Sequence, residues 1–411
     1  MISGLEAYIR DSQLASKVDL TGSVVGVSGE LLAEISVDAL AAAAEARNFT
    51  VVVVFDGPSR PTPARVNSTA TFGHLAELKN RGIKFLVAPG VAAAQLSYMY
   101  REGFVTHIAA ADDCVLFGDA PIVVGLLSEP KVVSFTSLVQ STPLSPQDFA
   151  EVCIGAGCAL IPERCPLYDL SMNPIKAGLK VAQVSGGSVF RTVTQLDVDY
   201  AGRFQTALAA INWQPVLNGN GMTELLNLRK LPEPQDLRTL IGLRLPDEYN
   251  YYLSKGLVST ELLRGLVWGW VADDASNARG VPQADYNALQ KILSPLRGAA
   301  LDWLSSAINR YFQFSKVSDR TPGCSVLDRK RIAPLRSEQL STPELVQQEV
   351  VSQAQKVSGA TSVEELLKKA GVSPTPQLET SAKLALRWLA EAIHVALMAT
   401  GASKEPISGW P

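Results

Sequence analysis

The stretch KFLVAPGVAAAQLSYMYREGFVTHIAAADDCVLFG, from Lys84 to Gly118, decides the fold of this chain. It reads as a strand, a Pro-Gly turn, an alanine-rich helix, a second strand and an acidic turn. Upstream, GSVVGV at residues 22–27 and FTVVVVF at residues 49–55 are the apolar runs typical of parallel strands that are covered on both faces. Strands that alternate with helices at this spacing predict an α/β fold with a doubly wound, mainly parallel sheet.

Length and composition describe a globular chain. Its 411 residues, 47% of them hydrophobic and 19% charged, suffice for two or three domains with sizeable cores. The 37 basic and 40 acidic side chains give a formal charge of −3, which argues against broad electrostatic binding of nucleic acid. The basic run at residues 329–336 is the best candidate for a local basic patch, with a solvated basic turn as the alternative.

The apolar runs and the cysteines bear on where the chain resides. No apolar run reaches the ~18 residues needed to span a bilayer, so we expect no membrane partner. The cysteines lack the paired spacing of metal ligands: Cys114, Cys153, Cys158, Cys165 and Cys324. With no secretory leader recognised in the opening residues, we expect a reducing compartment.

The hydrophobic patterns predict four regions. Residues 1–145 form the α/β domain, and residues 146–215 form a helical region that begins at Ser145-Pro146. Residues 216–400 show helical periodicity and no strand signal of comparable strength, which predicts an all-α domain. Residues 401–411 are predicted to be a flexible tail. In the first half, helices are predicted over residues 1–18 and 30–47. After Trp213, the predicted helices cover residues 260–271, 284–314, 343–357, 363–370 and 378–398.

Several blocks in the first half resemble the flap-endonuclease (XPG) family, in that family's order. VVFDGP resembles its second strand and Asp-Gly, VAPGVAAAQLSYMY its P-G-E-A-E-A-Q-x-A-Y, and AADDCVLFG its S-E-D-x-D-x-L-x-F-G. FAEVCIGAGCALI, from Phe149, resembles the start of that family's helix-two-turn-helix element. The resemblance implies an XPG/PIN-like fold that is followed by a helix-two-turn-helix-like element.

The same resemblance implies a site where carboxylates would hold two divalent ions for phosphodiester hydrolysis. Of seven such carboxylates, this chain keeps Asp56 and Asp113. The five other positions carry small or apolar residues: Ser28, Val91, Ala93, Ala111 and Ala159. Two carboxylates without a third ligand rarely hold Mg²⁺ against its hydration shell. We therefore predict that the chain binds no metal or cofactor and is not an enzyme.

The two retained aspartates also have structural interpretations. Asp56 precedes Gly-Pro at a strand end, where Asp commonly serves as a turn or helix-capping residue. Asp113 has the alternatives of capping the following turn or pairing with an arginine. The segment between Asp56 and Val91 must supply a helix and a strand, which leaves no room for the basic helical arch that the resemblance implies for active flap nucleases.

The second half resembles the Mkt-type post-transcriptional regulators of fungi and kinetoplastids through its helical pattern and the segment YYLSKGLVS, which begins at Tyr251. This resemblance implies a cytoplasmic protein whose partner is related to ataxin-2 and linked to poly(A)-binding protein. Contact with RNA is then indirect or weak. Trp268, Trp270 and the tyrosines at 249, 251 and 252 are residue types that form binding hot spots, with a buried helical core as the alternative.

Together these features predict a non-catalytic pseudonuclease scaffold that acts in post-transcriptional mRNA regulation through protein–protein interaction. Two alternatives remain open at this point. One is a residual metal-dependent, structure-specific nuclease that uses Asp56 and Asp113. The other is a structural subunit of a ribonucleoprotein particle.

Overall fold

The computed structural model describes residues 2–60, 68–227, 233–234, 236–271, 298, 301–302, 304–305 and 316–319. Contacts divide the chain into two units. The first comprises Met1–Val66 and Ala70–Gly256, and the second comprises Asn67–Thr69 and Leu257–Pro411. Among the described residues, no helix combines the length and the apolar character that a membrane span requires.

A seven-stranded sheet forms the centre of the first unit. Its strands are β1 (Ser16–Lys17), β2 (Val24–Ser28), β3 (Thr50–Phe55), β4 (Lys84–Val87), β5 (His107–Ala109), β6 (Ile122–Val124) and β7 (Lys131–Val133). Their order across the sheet is β1-β7-β6-β5-β2-β3-β4. All pairings from β6 through β4 are parallel, whereas β7 pairs antiparallel with both β6 and β1. The predicted mainly parallel sheet is therefore confirmed.

Helices connect these strands and extend beyond them. They are α1 (Leu5–Asp11), α2 (Val37–Ala46), α3 (Ser68–Asn80), α4 (Ala92–Arg101), α5 (Phe135–Gln140), α6 (Pro146–Ala156), α7 (Pro174–Val184), α8 (Val189–Leu196) and α9 (Val198–Asn212). The chain moves from β2 to β3 to β4 in one direction and then returns past β2 to β5. Because parallel crossovers are right-handed, α2 and α3 cover one face and α4 the other. The sheet is thus doubly wound, as predicted.

The middle of the sheet is buried on both faces, as its apolar runs predict. Val25 and Val27 in β2, and Val53 and Val54 in β3, have no exposed surface. Gly26 lies between the two valines of β2, and a Cβ added there would stand 2.5 Å from a methyl carbon of Leu96 in α4. The missing side chain lets α4 lie close against β2.

Two predicted helices are shorter in the structure. The helix predicted over residues 1–18 is α1 followed by the edge strand β1. The helix predicted over residues 30–47 is a 3-10 turn, Gly29–Ala33, followed by α2. Ser36 separates these two parts because its side chain accepts a hydrogen bond from the N–H of Ala39 and so begins a new helix.

A hairpin of β8 (Gln214–Leu217) and β9 (Thr223–Leu226) follows α9 and belongs to the first unit, together with α10 (Leu237–Ile241) and α11 (Asp247–Ser254). The prediction that residues from 216 onward are all-α is wrong for this hairpin. Its strands are too short and mixed to show a pattern, and long-range hydrogen bonds between Gln95 of α4 and Leu217 hold β8 in place. The predicted boundaries at residues 145, 215 and 400 stay predictions.

The described part of the second unit contains α12 (Thr260–Trp268) and a short parallel pair, β10 (Trp270–Val271) with β11 (Ser318–Asp319). The all-α prediction for residues 216–400 is therefore wrong for this strand pair as well. Arg264 in α12 is buried, pairs with Glu261 at 3.4 Å, and places its guanidinium 5.4 Å from the centre of the buried Trp270 ring. For Trp270, the buried-core alternative therefore applies. Of the helix predicted over residues 284–314, residues 298, 301–302 and 304–305 are described, and they are helical. The helices predicted over residues 343–357, 363–370 and 378–398, the basic run at 329–336, Cys324 and the tail lie outside the described residues.

A cavity at the carboxyl edge of the sheet as the candidate functional site

The candidate site lies where the strand order of the sheet reverses. Strands β2 and β5 are neighbours although two other strands separate them along the chain. In open α/β sheets, ligands bind at the carboxyl ends of the strands beside such a reversal. Ser28 ends β2, Asp56 directly follows β3, and Asp113 lies in a 3-10 turn that follows β5. These three residues line a common cavity of ≈ 30 Å³.

The structure brings together six of the seven positions predicted from the nuclease resemblance. The cavity is lined by both retained carboxylates and by four of the replaced positions: Ser28, Asp56, Val91, Ala93, Asp113 and Ala159. Ala111 does not line the cavity. It precedes the 3-10 turn Asp112–Phe117 as its capping residue. Six of the positions that match the nuclease family's carboxylates therefore cluster in one part of the fold.

Asp56 holds the start of α4. Its Oδ1 accepts a hydrogen bond of 2.7 Å from the N–H of Ala92, the first residue of that helix. Val91 at the helix cap has no side-chain acceptor of its own, so the carboxylate at the end of β3 satisfies one of the free N–H groups. The helix-capping interpretation of Asp56 therefore describes its contact, although the helix lies thirty-odd residues away and not in its own turn.

The turn after Asp56 fits tightly against the Pro-Gly turn that precedes α4. The N–H of Gly57 donates to the carbonyl oxygen of Gly90 at 2.7 Å, and the N–H of Ser59 donates to that of Pro89 at 3.1 Å. A Cβ added at Gly57 would stand 1.8 Å from the backbone oxygen of Ala88, so only glycine fits. This close approach places the next residues of the turn over the cavity.

Asp113 is also bonded to backbone. Its Oδ2 accepts a hydrogen bond of 3.1 Å from the N–H of Ala159, in the loop after α6. Ala159 is the position where the nuclease resemblance implies a further aspartate. Here its backbone joins the helical region to the acidic turn after β5, and neither of the two interpretations that the sequence allowed for Asp113 describes this bond.

Two charged residues of the site were not predicted from the sequence. Glu30 stands two residues after the end of β2 and lines the cavity, and Arg60 stands four residues after Asp56. Arg60 forms an ion pair with Asp56, and its side chain is only 9% exposed. Both positions follow a parallel strand at its carboxyl end, which is the signal that could have identified them.

The charges of the site act on one another. Burial raises the pKa of Glu30, and repulsion by Asp56 and Asp113 raises it further, although Arg60 opposes this. Burial by itself lowers the pKa of the Arg60 guanidinium, but the attraction of Asp56, Glu30 and Asp113 outweighs it, so that this pKa is raised. Arg60 is therefore a permanent cation within a negatively charged site.

The cysteines at the site are not activated nucleophiles. Burial raises the pKa of Cys114, and the nearby carboxylates of Glu30 and Asp113 raise it further. Burial raises the pKa of Cys158 as well. A nucleophilic cysteine needs a lowered pKa in an electropositive and partly exposed place. Both side chains are buried and free, and they act as small apolar residues of the wall.

The residues present do not fit a two-metal centre. Both oxygens of Asp56 face donors, Arg60 adds a positive charge, and four of the implied ligand positions that line the cavity are small or apolar. Mg²⁺ usually keeps several waters, whereas a cavity of ≈ 30 Å³ has room for about two water molecules. Within the described ranges, no group of three or more His, Cys, Asp or Glu residues is arranged to hold a metal.

Comparison with known proteins gives two kinds of sequence similarity. The family described as "Temperature dependent protein affecting M2 dsRNA replication" matches residues 234–321. The post-transcriptional regulator mkt1 of Schizosaccharomyces pombe is 23% identical over 329 residues, which cover 62% of this chain and 40% of that protein. Flap endonuclease 1 of Methanothermobacter thermautotrophicus is 29% identical over 130 residues, which cover 29% of this chain and 37% of that protein.

Among solved structures, human GEN1 in complex with Holliday junction DNA aligns with a TM-score of 0.40 and 14% identity, over 69% of this chain and 82% of that chain. The chain spans less than half the length of the curated relatives it matches. The resemblance predicted from the sequence is confirmed: this chain is similar to the Mkt1-type post-transcriptional regulators and, over a shorter stretch, to the flap endonucleases.

Proposed function

We propose that this chain is a non-catalytic, nuclease-like scaffold in post-transcriptional mRNA regulation. The observation that carries the proposal is the state of Asp56, whose oxygens are engaged by the N–H of Ala92 and by the guanidinium of Arg60. Hydrolysis by two metal ions needs several free carboxylate oxygens that converge on the ions. The similarity to proteins named post-transcriptional regulators supports the regulatory role.

Exposed aromatic side chains support a role in protein binding. The aromatic surface of the first unit consists of Phe104, Tyr251 and Tyr252, and the apolar Met222 of the β8–β9 turn extends it; each of these side chains is about half exposed. Phe104 and Tyr251 lie beside the turn between β8 and β9, and the rings of Tyr251 and Tyr252 meet edge to face with centroids 5.9 Å apart. Large aromatic residues are the type that most often anchors a protein partner.

The charges around the aromatic surface favour an uncharged partner segment. Arg101 lies 3.2 Å from a carboxylate oxygen of Glu102 and 4.0 Å from one of Glu224, so its charge is balanced locally. Lys255 stands 5.6 Å from the centre of the Tyr251 ring. Phosphate groups would meet no excess of positive charge here, which supports indirect or weak contact with RNA.

The partner proposed here is an apolar segment of an ataxin-2-like protein that is associated with poly(A)-binding protein in the cytoplasm. Affinity purification of the tagged full chain from its own cells tests this. We expect the wild type to retain mRNA-regulatory proteins and a Phe104→Ala/Tyr251→Ala/Tyr252→Ala variant to lose them. The matched control replaces exposed apolar residues elsewhere, at Leu170 and Val184, and keeps the partners. Recovery of no such protein by the wild type would contradict the proposal.

A residual nuclease is the second candidate, because Glu30 adds a third carboxylate to the cavity beside Asp56 and Asp113. Incubation of the purified protein with flap, hairpin and single-stranded substrates in Mg²⁺ or Mn²⁺ distinguishes the two. We expect no cleavage above that of a mock preparation. Cleavage by the wild type that Asp56→Asn abolishes would refute the non-catalytic assignment.

A further inference from the structure

Arg60 carries a charged side chain that is almost fully buried. Its side chain is 9% exposed, and that of Asp56 is 17% exposed. A charge removed from water to this extent is stable only when it is paired and hydrogen-bonded. The ion pair with Asp56 meets this need, and the planar fork of the guanidinium suits a carboxylate better than an ammonium group does.

The acidic side chains of the cavity outnumber their cation. Glu30, Asp56 and Asp113 line it together with Arg60, so three negative charges at most face one positive charge. Each carboxylate comes from a different segment, after β2, after β3 and after β5. These segments converge at the strand reversal, and mutual repulsion would push them apart if no cation stood among them.

The nuclease resemblance implies that divalent ions supply the positive charge among these carboxylates, but the side chains that line the cavity do not fit such ions. We propose that the guanidinium of Arg60 is a built-in counter-ion that takes the place of the divalent cation and keeps the carboxyl ends of β2, β3 and β5 together. The cation is thus supplied by the chain itself, four residues after the carboxylate with which it pairs. In this view, Arg60 keeps the fold independent of metal.

The position of Arg60 is prepared by the turn that precedes it. Hydrogen bonds from Gly57 and Ser59 to the backbone of Gly90 and Pro89 hold the segment that carries Arg60 against the start of α4. The helix N-terminus binds Oδ1 of Asp56 and leaves Oδ2 for the guanidinium. The pair is therefore oriented from both sides, which distinguishes it from a flexible surface ion pair.

The test compares Arg60→Met with the wild type in thermal unfolding, in EDTA and in increasing millimolar MgCl2 or MnCl2. We expect Arg60→Met to melt below the wild type in EDTA and to recover with the logarithm of the Mn²⁺ concentration, as for a ligand that binds the folded state. We expect Mn²⁺ affinity to rise by about tenfold or more, because the variant lacks a like charge in contact with the site. Arg60→Lys, which keeps the charge, should show less of both effects.

Arg81→Met is the matched control, since Arg81 forms an exposed ion pair with Asp38. It should leave both the melting temperature and the response to Mn²⁺ unchanged. If Arg60→Met does not fold, Arg60→Met/Asp56→Asn provides the second measurement. We expect this double variant to fold better than the single one, because it leaves less uncompensated charge. A double variant that is no better than Arg60→Met would contradict the counter-ion role.

The counter-ion role of Arg60 and the scaffold function can be overturned separately. A wild type that EDTA destabilises and Mn²⁺ restabilises, without cleaving any substrate, would overturn the counter-ion role of Arg60 and leave the scaffold proposal intact. Arg60→Met with wild-type stability and no gain in Mn²⁺ affinity would do the same. Metal-dependent cleavage by the wild type would overturn both.

Discussion

Gln95 should hold the hairpin of β8 and β9 on the α/β domain. Its side chain is buried in α4, where Oε1 accepts from the N–H of Leu217 at 2.7 Å and Nε2 donates to the carbonyl oxygen of Leu217 at 2.9 Å. Gln95→Met keeps the length and loses both bonds. Each buried polar group left without a partner costs about 1–3 kcal/mol, so we expect a loss of about 2–6 kcal/mol in local stability.

Amide hydrogen exchange of the full chain, followed by mass spectrometry, measures this loss where it occurs. Since each 1.4 kcal/mol is tenfold, the amides of residues 214–226 should exchange about 30-fold to about 10⁴-fold faster in Gln95→Met. Protection in β2 and β3 should change less, because their valines remain packed. Local exchange is the preferred measurement, since a chain of two units need not unfold in one step.

The matched control is Gln205→Met. Gln205 lies in α9 and is exposed, so its replacement should change stability by less than about 0.5 kcal/mol. Hairpin amides in Gln95→Met that exchange at the wild-type rate, while the protein stays folded, would refute the argument. The hairpin would then be held by its apolar contacts and not by the two hydrogen bonds.

Two further predictions concern packing and pH. A Cβ at Gly178 would stand 2.6 Å from the hydroxyl oxygen of Tyr168, so Gly178→Ala should lower the free energy of unfolding by about 1–3 kcal/mol. Gly202 lies in open space within α9, so Gly202→Ala should raise the free energy of unfolding by about 0.5–1 kcal/mol. The opposite ranking of the two variants in urea unfolding would contradict this. Burial raises the pKa of Glu151 above its ordinary 4.5 despite bonds from Ser188 and a backbone N–H, so the folded state binds the proton more tightly than the unfolded state. The wild type should gain stability relative to Glu151→Gln as pH falls through the raised pKa toward about 4.5. Urea titrations from neutral pH downward measure the difference in free energy of unfolding between the two proteins, and a difference that stays constant with pH would contradict this prediction.

Much of the sheet could be predicted because its determinants are local. The apolar run of β3 and the Pro-Gly turn before α4 carry their own structural preference. Asp56 and Asp113 could be expected near each other because the nuclease resemblance places both in one site, and the structure shows that each follows a parallel strand at its carboxyl end. The hairpin could not be predicted in this way, since Gln95 and Leu217 are 122 positions apart and QPVL shows no strand period.

The sequence by itself determined the parallel core, the place of the candidate site and the replaced positions at Val91 and Ala93, because periodicity and the spacing of motifs are properties of the chain. The tertiary structure alone decided what the remaining charges do. Whether Asp56 faces an ion, a helix N-terminus or an arginine depends on which segments converge at the carboxyl edge of the sheet. That convergence brings Arg60 and the N–H of Ala92 to the carboxylate of Asp56. Because this site has little access to water, the nearest hydrogen-bond donors determine the role of that carboxylate.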